Sequence, residues 1–398
     1  MELKKSKLAL TLASVLSAGF MSTSAMAADS LATAFKEGTA FGDFRLRYED
    51  AEIGATDGSA LTFRTRLGFK TAAVSGFSAL VEFEDNRQVL GEDDYNTALA
   101  GVNKGKAEIS DPEFTELEQA YIAYANGGFS AKLGRQVITL DGHRHIGHVG
   151  WRQDRQTFDA LNVGFKSGDF NATLAYVYKH NRIFGEVRDV DADTILVNLS
   201  YDTGFGKAVA YGYQIAPEAT QEVDTYGVSF TGATGGDVKF SYSAEYAVQD
   251  NKTLDIDTSY LSLELGATFS GFTVKVGQET LGSDDGNGHF ITPLATLHKF
   301  NGFADVFLGH TFNSPATGMG LVDTYAFVGT KVGGVALKAF YHTFDSDEGS
   351  LDYGDEIDFV AATKFGSYTT GLKYATYSAK DGSYADTDRL WIWVETSF

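Results

Sequence analysis

From residue 40 onward, apolar and polar side chains alternate with a period of two, the period of a strand that hides one face and shows the other. Phe44, Leu46 and Tyr48 are interleaved with Asp43, Arg45, Arg47 and Glu49. Phe63, Leu67 and Phe69 are interleaved with Arg64, Arg66 and Lys70. The same alternation runs through Phe170 to Tyr178, Ile195 to Tyr201, Val238 to Tyr246, Leu261 to Phe269, Val335 to Tyr341 and Ile357 to Phe365. No long segment has the helical period. The pattern predicts an all-β chain.

The connections are asymmetric. Short segments at 73–76, 126–128, 167–169, 203–204, 233–236, 270–271, 332–334 and 366–367 are rich in Gly, Asn, Asp and Ser, as tight hairpins require. Longer polar segments lie near 50–60, 87–115, 139–156, 180–192, 214–223, 248–258, 281–321, 344–355 and 378–387. Eight short turns alternating with nine longer loops require eighteen strands. Short periplasmic turns, long external loops and an even strand count describe a transmembrane antiparallel β-barrel. Phe303 to Phe312 could be counted as a further strand. That would put the chain ends on opposite sides of the membrane, so 281–321 is read as one external loop able to fold into the pore. A soluble sandwich or propeller would place the same apolar face in a core. Regular hairpins running to the last residue favour the barrel.

Three regions are expected. Residues 1–27 read as a secretory signal peptide, with Lys4, Lys5 and Lys7 before an apolar run and Ala25-Met26-Ala27 as the cleavage site. Residues 28–39 read as a periplasmic lead-in, and 40–398 as a single barrel. The final strand puts Leu390, Ile392, Val394 and Phe398 on one face. An amphipathic last strand ending in Phe resembles the recognition signal of bacterial outer-membrane proteins. The cell outer membrane is the expected location, with lipid and lipopolysaccharide as neighbours.

Composition narrows the chemistry. There are 4 prolines, 44 glycines and no cysteine. Few prolines suit long strands, and the absence of cysteine excludes disulfides and thiolate sites. The formal charge of −21 argues against nucleic-acid binding. No nucleophile elbow or zinc-helix motif is present, so no enzymatic activity and no cofactor is expected. A barrel hydrolase with catalytic groups scattered over strands is the competing enzyme reading.

Arginine is concentrated early in the chain. Arg45, Arg47, Arg64 and Arg66 alternate with lipid-facing residues and so should point into the lumen. If the two strands pair, the four make a cationic ladder suited to carboxylates. The alternative is that they brace the barrel by pairing with Asp43, Glu49, Glu82, Glu84, Glu116 and Glu118. Arg135 breaks the parity rule. Either a bulge at Gly134 turns it inward, or it sits at the outer rim. The 139–156 loop adds His143, His145 and His148 beside Asp141 and Asp154, which reads as an exposed polar loop at the pore mouth rather than a metal site. Acidic runs in the long external loops could meet divalent cations.

At GRQVITLDGHRHIGHVGWRQDRQTFDA the chain resembles the alginate-export family of Gram-negative outer-membrane porins. The similar elements are Gly134-Arg135-Gln136, Arg144 with Ile146-Gly147, Trp151-Arg152-Gln153 and Thr157-Phe158-Asp159-Ala160. A weaker similarity lies in LHKFNGFADVFL, Leu297 to Leu308. The resemblance implies passive diffusion of anionic solutes, above all uronate oligo- or polysaccharide, or small organic acids. A general porin of weak selectivity is the alternative. The pore-lining candidates are Arg45, Arg47, Arg64, Arg66, Arg135, Arg144, Arg152 and Asp159, with the 87–115 and 281–321 loops as the constriction.

Overall fold

The computed structural model describes residues 30–97, 100–102, 104–218, 220–311, 318–382 and 384–398. The expected signal segment, 1–27, lies outside them. A short helix, α1 (Leu31–Lys36), is capped by the Ser30 hydroxyl, which accepts from Thr33 N at 3.2 Å. Its Phe35 stacks on Phe69 of the barrel wall at 6.1 Å between centroids.

Eighteen strands follow. They are β1 (Thr39–Ile53), β2 (Thr56–Lys70), β3 (Phe77–Asp94), β4 (Phe114–Asn126), β5 (Phe129–Gln136), β6 (Thr157–Ser167), β7 (Phe170–Asn181), β8 (Val190–Asp202) and β9 (Gly206–Ile215). Then come β10 (Val223–Gly235), β11 (Lys239–Asn251), β12 (Ile256–Phe269), β13 (Phe272–Leu281), β14 (Leu321–Val332), β15 (Val335–Asp345), β16 (Asp352–Phe365), β17 (Tyr368–Ala379) and β18 (Thr387–Ser397). Each pairs antiparallel with the next, and β1 pairs with β18 from Asp43↔Ser397 to Ile53↔Thr387. Closure satisfies every strand edge internally, which a hydrocarbon environment demands. The terminal residue completes the seam: Phe398 N donates to Gly42 O at 3.0 Å, and its ring stacks on Phe44.

The eight periplasmic turns fall where the Gly-rich segments lie. At Gly333 and Gly334 both φ angles are positive, +56° and +88°, the geometry of a two-residue turn whose twist matches its strands. The described part of the Phe303–Phe312 segment, 303–311, is not a strand; a 3₁₀ segment, Val306–Thr311, occupies part of it. The first external loop is shorter than expected. Strands β1 and β2 continue to Ile53 and from Thr56, so the 50–60 segment is a hairpin turning at Gly54-Ala55. Its polar residues are the ordinary alternate face of two long strands.

Outward residues such as Leu263, Leu265, Val276 and Ile392 are exposed, as a lipid-facing belt requires. The interior differs from a water-filled cylinder. Segments 137–156 and 282–311 fold into it. Ile138, Ile146, Phe290, Ile291 and Leu294 from these loops pack with inward-facing Tyr211, Tyr213, Tyr260, Phe344 and Tyr377 in one buried apolar cluster. The barrel therefore has a core inside its lumen.

Candidate functional site: a loop-filled constriction

The arginine ladder is real in direction. Arg45 and Arg64 are direct cross-strand partners, and Arg66 opposes Asp43. All four guanidiniums are buried. Their partners divide into two kinds. Arg47 pairs with Asp111, Arg64 with Asp43 and Arg66 with Glu84. Arg45 has only neutral acceptors: Gln153 Oε1 at 2.9 Å from Nε, Gly150 O at 3.3 Å from Nη1, and Arg152 O. Among the described residues no carboxylate forms an ion pair with it. Bracing and cationic character thus coexist on one wall.

The acceptors come from loop 137–156, which lies along the ladder. Gln153 is its keystone. Its backbone O accepts from Arg66 at 2.9 Å, its N donates to Asp111 Oδ1 at 2.7 Å, and its Nε2 donates to Thr62 Oγ1 at 2.8 Å. Trp151 O accepts from Arg47, and the indole stacks on His298 at 4.9 Å while Lys373 Nζ lies 3.7 Å from its ring centroid. Arg152 donates to Glu49 at 2.8 and 3.1 Å and to Asp305 at 2.9 Å. Burial opposes the Arg152 charge, but Glu49, Asp111 and Asp305 outweigh it and hold the guanidinium above its ordinary range.

The second inward segment, 282–311, is tied to the first. Gly147 N donates to Leu294 O at 2.8 Å, and Thr296 N donates to His143 O at 3.0 Å. Thr296 Oγ1 accepts from both His148 N and Val149 N at 3.1 Å. Arg144 makes a two-pronged pair with Glu279 on β13, at 2.7 and 2.9 Å, and reaches Thr292 at 3.1 Å and Asn301 at 3.2 Å. His298 Nδ1 faces Asp305 Oδ1 at 2.8 Å. Burial lowers His298 to about 3, so the ring is neutral in place. Asp111, between β3 and β4, joins the first of these loops through Gln153 N, while Tyr95 and Ile109 pack against Ala51 and Ala60 of β1 and β2.

Several expectations need correction. The 139–156 loop is not an exposed mouth loop: it is the element docked on the ladder, because Ile138 and Ile146 carry it into the lumen. His145 is buried, its Nε2 at 2.9 Å from both Glu245 and Tyr211. His143 and His148 meet edge-on at 5.1 Å. Arg135 and Asp159 do not line the pore. They are cross-strand partners joined at 2.9 Å, on the face shared by Leu133 and Phe165, which look outward. Strand register runs without a break through Gly134, so no bulge re-aims Arg135. Gly134 serves close packing instead: with φ at +122°, a Cβ there would meet Ala120 O at 2.3 Å.

Sequence reasoning missed Gln153, Asp111, Glu279 and Asp305 as site residues. Gln153 had a signal, since it stands inside the Trp-Arg-Gln element. Asp305 likewise stands inside the weaker Leu297–Leu308 element, whereas Asp111 and Glu279 had no signal, because their partners lie far off in the chain.

A closed eighteen-strand barrel with inward loops defines an outer-membrane protein of porin architecture. Residues 39–288 match the model of the alginate export family, and the chain belongs to that family. No curated protein matches by sequence. Solved structures similar in fold include OccAB3 of Acinetobacter baumannii (TM-score 0.73, 15% identity, 91% of this chain and 99% of that chain). Others are OccK9 (OpdG) of Pseudomonas aeruginosa (0.71, 14%, 92% and 99%) and OpdK of the same organism with vanillate (0.70, 11%, 92% and 100%).

Proposed function

We propose that the chain is a passive outer-membrane channel for anionic solutes, with short uronate oligosaccharides as the favoured class. The observation that carries this reading is Arg45. It is a buried, permanently charged guanidinium whose acceptors are all neutral oxygens of a loop. A carboxylate makes a charge-assisted pair with guanidinium that is roughly twice as strong as a neutral one. An entering uronate can therefore replace Gly150 O or Gln153 Oε1 without breaking an ion pair. Arg64, Arg47 and Arg66 lie beside it, each already held by a carboxylate. That gives one strong site flanked by weaker exchange sites, the balance that lets a solute enter and leave.

The inward loops favour short chains over long polymer. The interior packing of Ile146, Leu294 and Phe290 fills space that a polysaccharide would need. Liposome swelling tests this directly. Reconstituted protein should admit di- and tri-uronates faster than neutral oligosaccharides of equal length, and Arg45→Ala should narrow the gap. Equal rates for charged and neutral sugars in the wild type would indicate a general porin and overturn the reading.

A further inference from the structure

Beside the ladder lies an unbalanced set of acids. Glu82, Glu84, Glu116, Glu118 and Asp154 are all buried. Their ion pairs are few: Arg66–Glu84, Arg155–Glu82 and Arg155–Glu118. Among the described residues two guanidiniums thus serve five carboxylates. Glu84 and Glu116 are directly opposed across β3 and β4. Like charges so placed destabilise a sheet unless something stands between them.

Two independent features point to what that is. One is convergence. Glu84, Glu118 and Asp154 each bring a carboxylate oxygen to within 4.8 Å of the others. Opposite ligands of a calcium ion are about 4.8 Å apart, twice a bond of about 2.4 Å. The other is unmet bonding. Glu84 Oε1, Glu118 Oε2, Asp154 Oδ1 and Glu116 Oε2 are buried with no hydrogen-bond partner. Glu116 is 8% exposed and makes no ion pair among the described residues. Asp154 is 0% exposed, and among the described residues its side chain accepts one hydrogen bond, a long one from Gly185 N at 3.4 Å.

We propose that Glu84, Glu118 and Asp154 bind one hard divalent cation, calcium, inside the constriction, with Glu116 as a further oxygen donor. Oxygen-only ligands and excess negative charge select calcium over transition metals. The site is structural in its consequence. Asp154 belongs to the loop docked on the ladder, whereas Glu84 and Glu118 belong to the wall. The ion pins the loop beside Gln153 and neutralises the acids that would otherwise oppose an anionic solute.

The test is calcium titration of chelator-treated full-length protein in detergent, followed calorimetrically. One saturable equivalent is expected, accompanied by a higher thermal midpoint. Asp154→Asn and Glu118→Gln should each abolish it, while Glu348→Gln on an exposed acidic loop should leave it. No saturable equivalent, or one that survives Asp154→Asn, overturns the proposal. Crystals of the wild-type protein grown in calcium decide the matter without a variant. Anomalous density among the three carboxylates supports the site, and density confined to the exposed loops overturns it.

Discussion

Arg45 Nε donates to Gln153 Oε1 at 2.9 Å, across 108 residues of chain. That bond joins the first strand of the barrel to the constriction loop, four residues before β6 begins. It makes Gln153 the residue through which loop position and ladder charge are coupled. Gln153→Ala should leave the barrel folded but remove the side-chain bonds to Arg45 and Thr62. A hydrogen bond to a charged group contributes about 1.5–3 kcal/mol. Loop docking should weaken by roughly that amount, read as longer open events in single-channel recordings.

Arg144 and Glu279 hold the second anchor. Removing one partner of a buried pair costs about 3–5 kcal/mol. Arg144→Ala should therefore loosen both inward loops together. Hydrogen exchange at the Gly147 and Thr296 amides, which cross between the loops, should accelerate in parallel. Exchange confined to one of them would show that the loops move separately.

The Arg135–Asp159 pair should matter little to conduction. It faces outward, so Arg135→Ala should leave single-channel conductance and ion preference unchanged. Stability should fall by only about 1 kcal/mol, the scale of a partly exposed pair. A changed selectivity would mean that Arg135 reaches the lumen after all.

Acid should favour loop release. Burial lowers His298 to about 3, below its ordinary 6.5. A histidine with a depressed value in the docked state stabilises docking above pH 6.5 and loses that contribution as pH falls toward 3. At pH 5 the loss from this ring approaches roughly 2 kcal/mol. In the calcium-free protein Asp154 works the other way, since burial and the neighbouring glutamates raise its carboxyl and favour its neutral form in the docked loop. The histidine contribution is isolated by comparing wild type with His298→Asn, which keeps a donor toward Asp305. The acid-induced rise in exchange should be smaller in the variant.

Much of the barrel was legible in the chain because period-two alternation is a local property. Arg45, Arg47, Arg64 and Arg66 could be aimed inward from their immediate neighbours alone. The strand count followed from the Gly-rich turns, and the FADVFL segment was correctly kept out of it. The hairpin at Gly54-Ala55 was overestimated as a loop because lumen-facing polar residues look like loop residues. The constriction was harder. Loop 137–156 has no period, and its direction is set by Ile146 meeting Leu294 and by Gln153 meeting Arg45, contacts more than a hundred residues apart. The Trp151-Arg152-Gln153 element marked the right place without indicating that it lies along the ladder. Arg135 followed its parity and stayed outside; assigning it to the pore set a family resemblance above the alternation rule.

The most direct test of the central claim is the zero-current potential of a single reconstituted channel in a tenfold potassium chloride gradient. An anion-selective potential is expected in the wild type, moving toward the non-selective value in Arg45→Ala with the conductance retained. A cation-selective wild-type potential that Arg45→Ala leaves unmoved would contradict it.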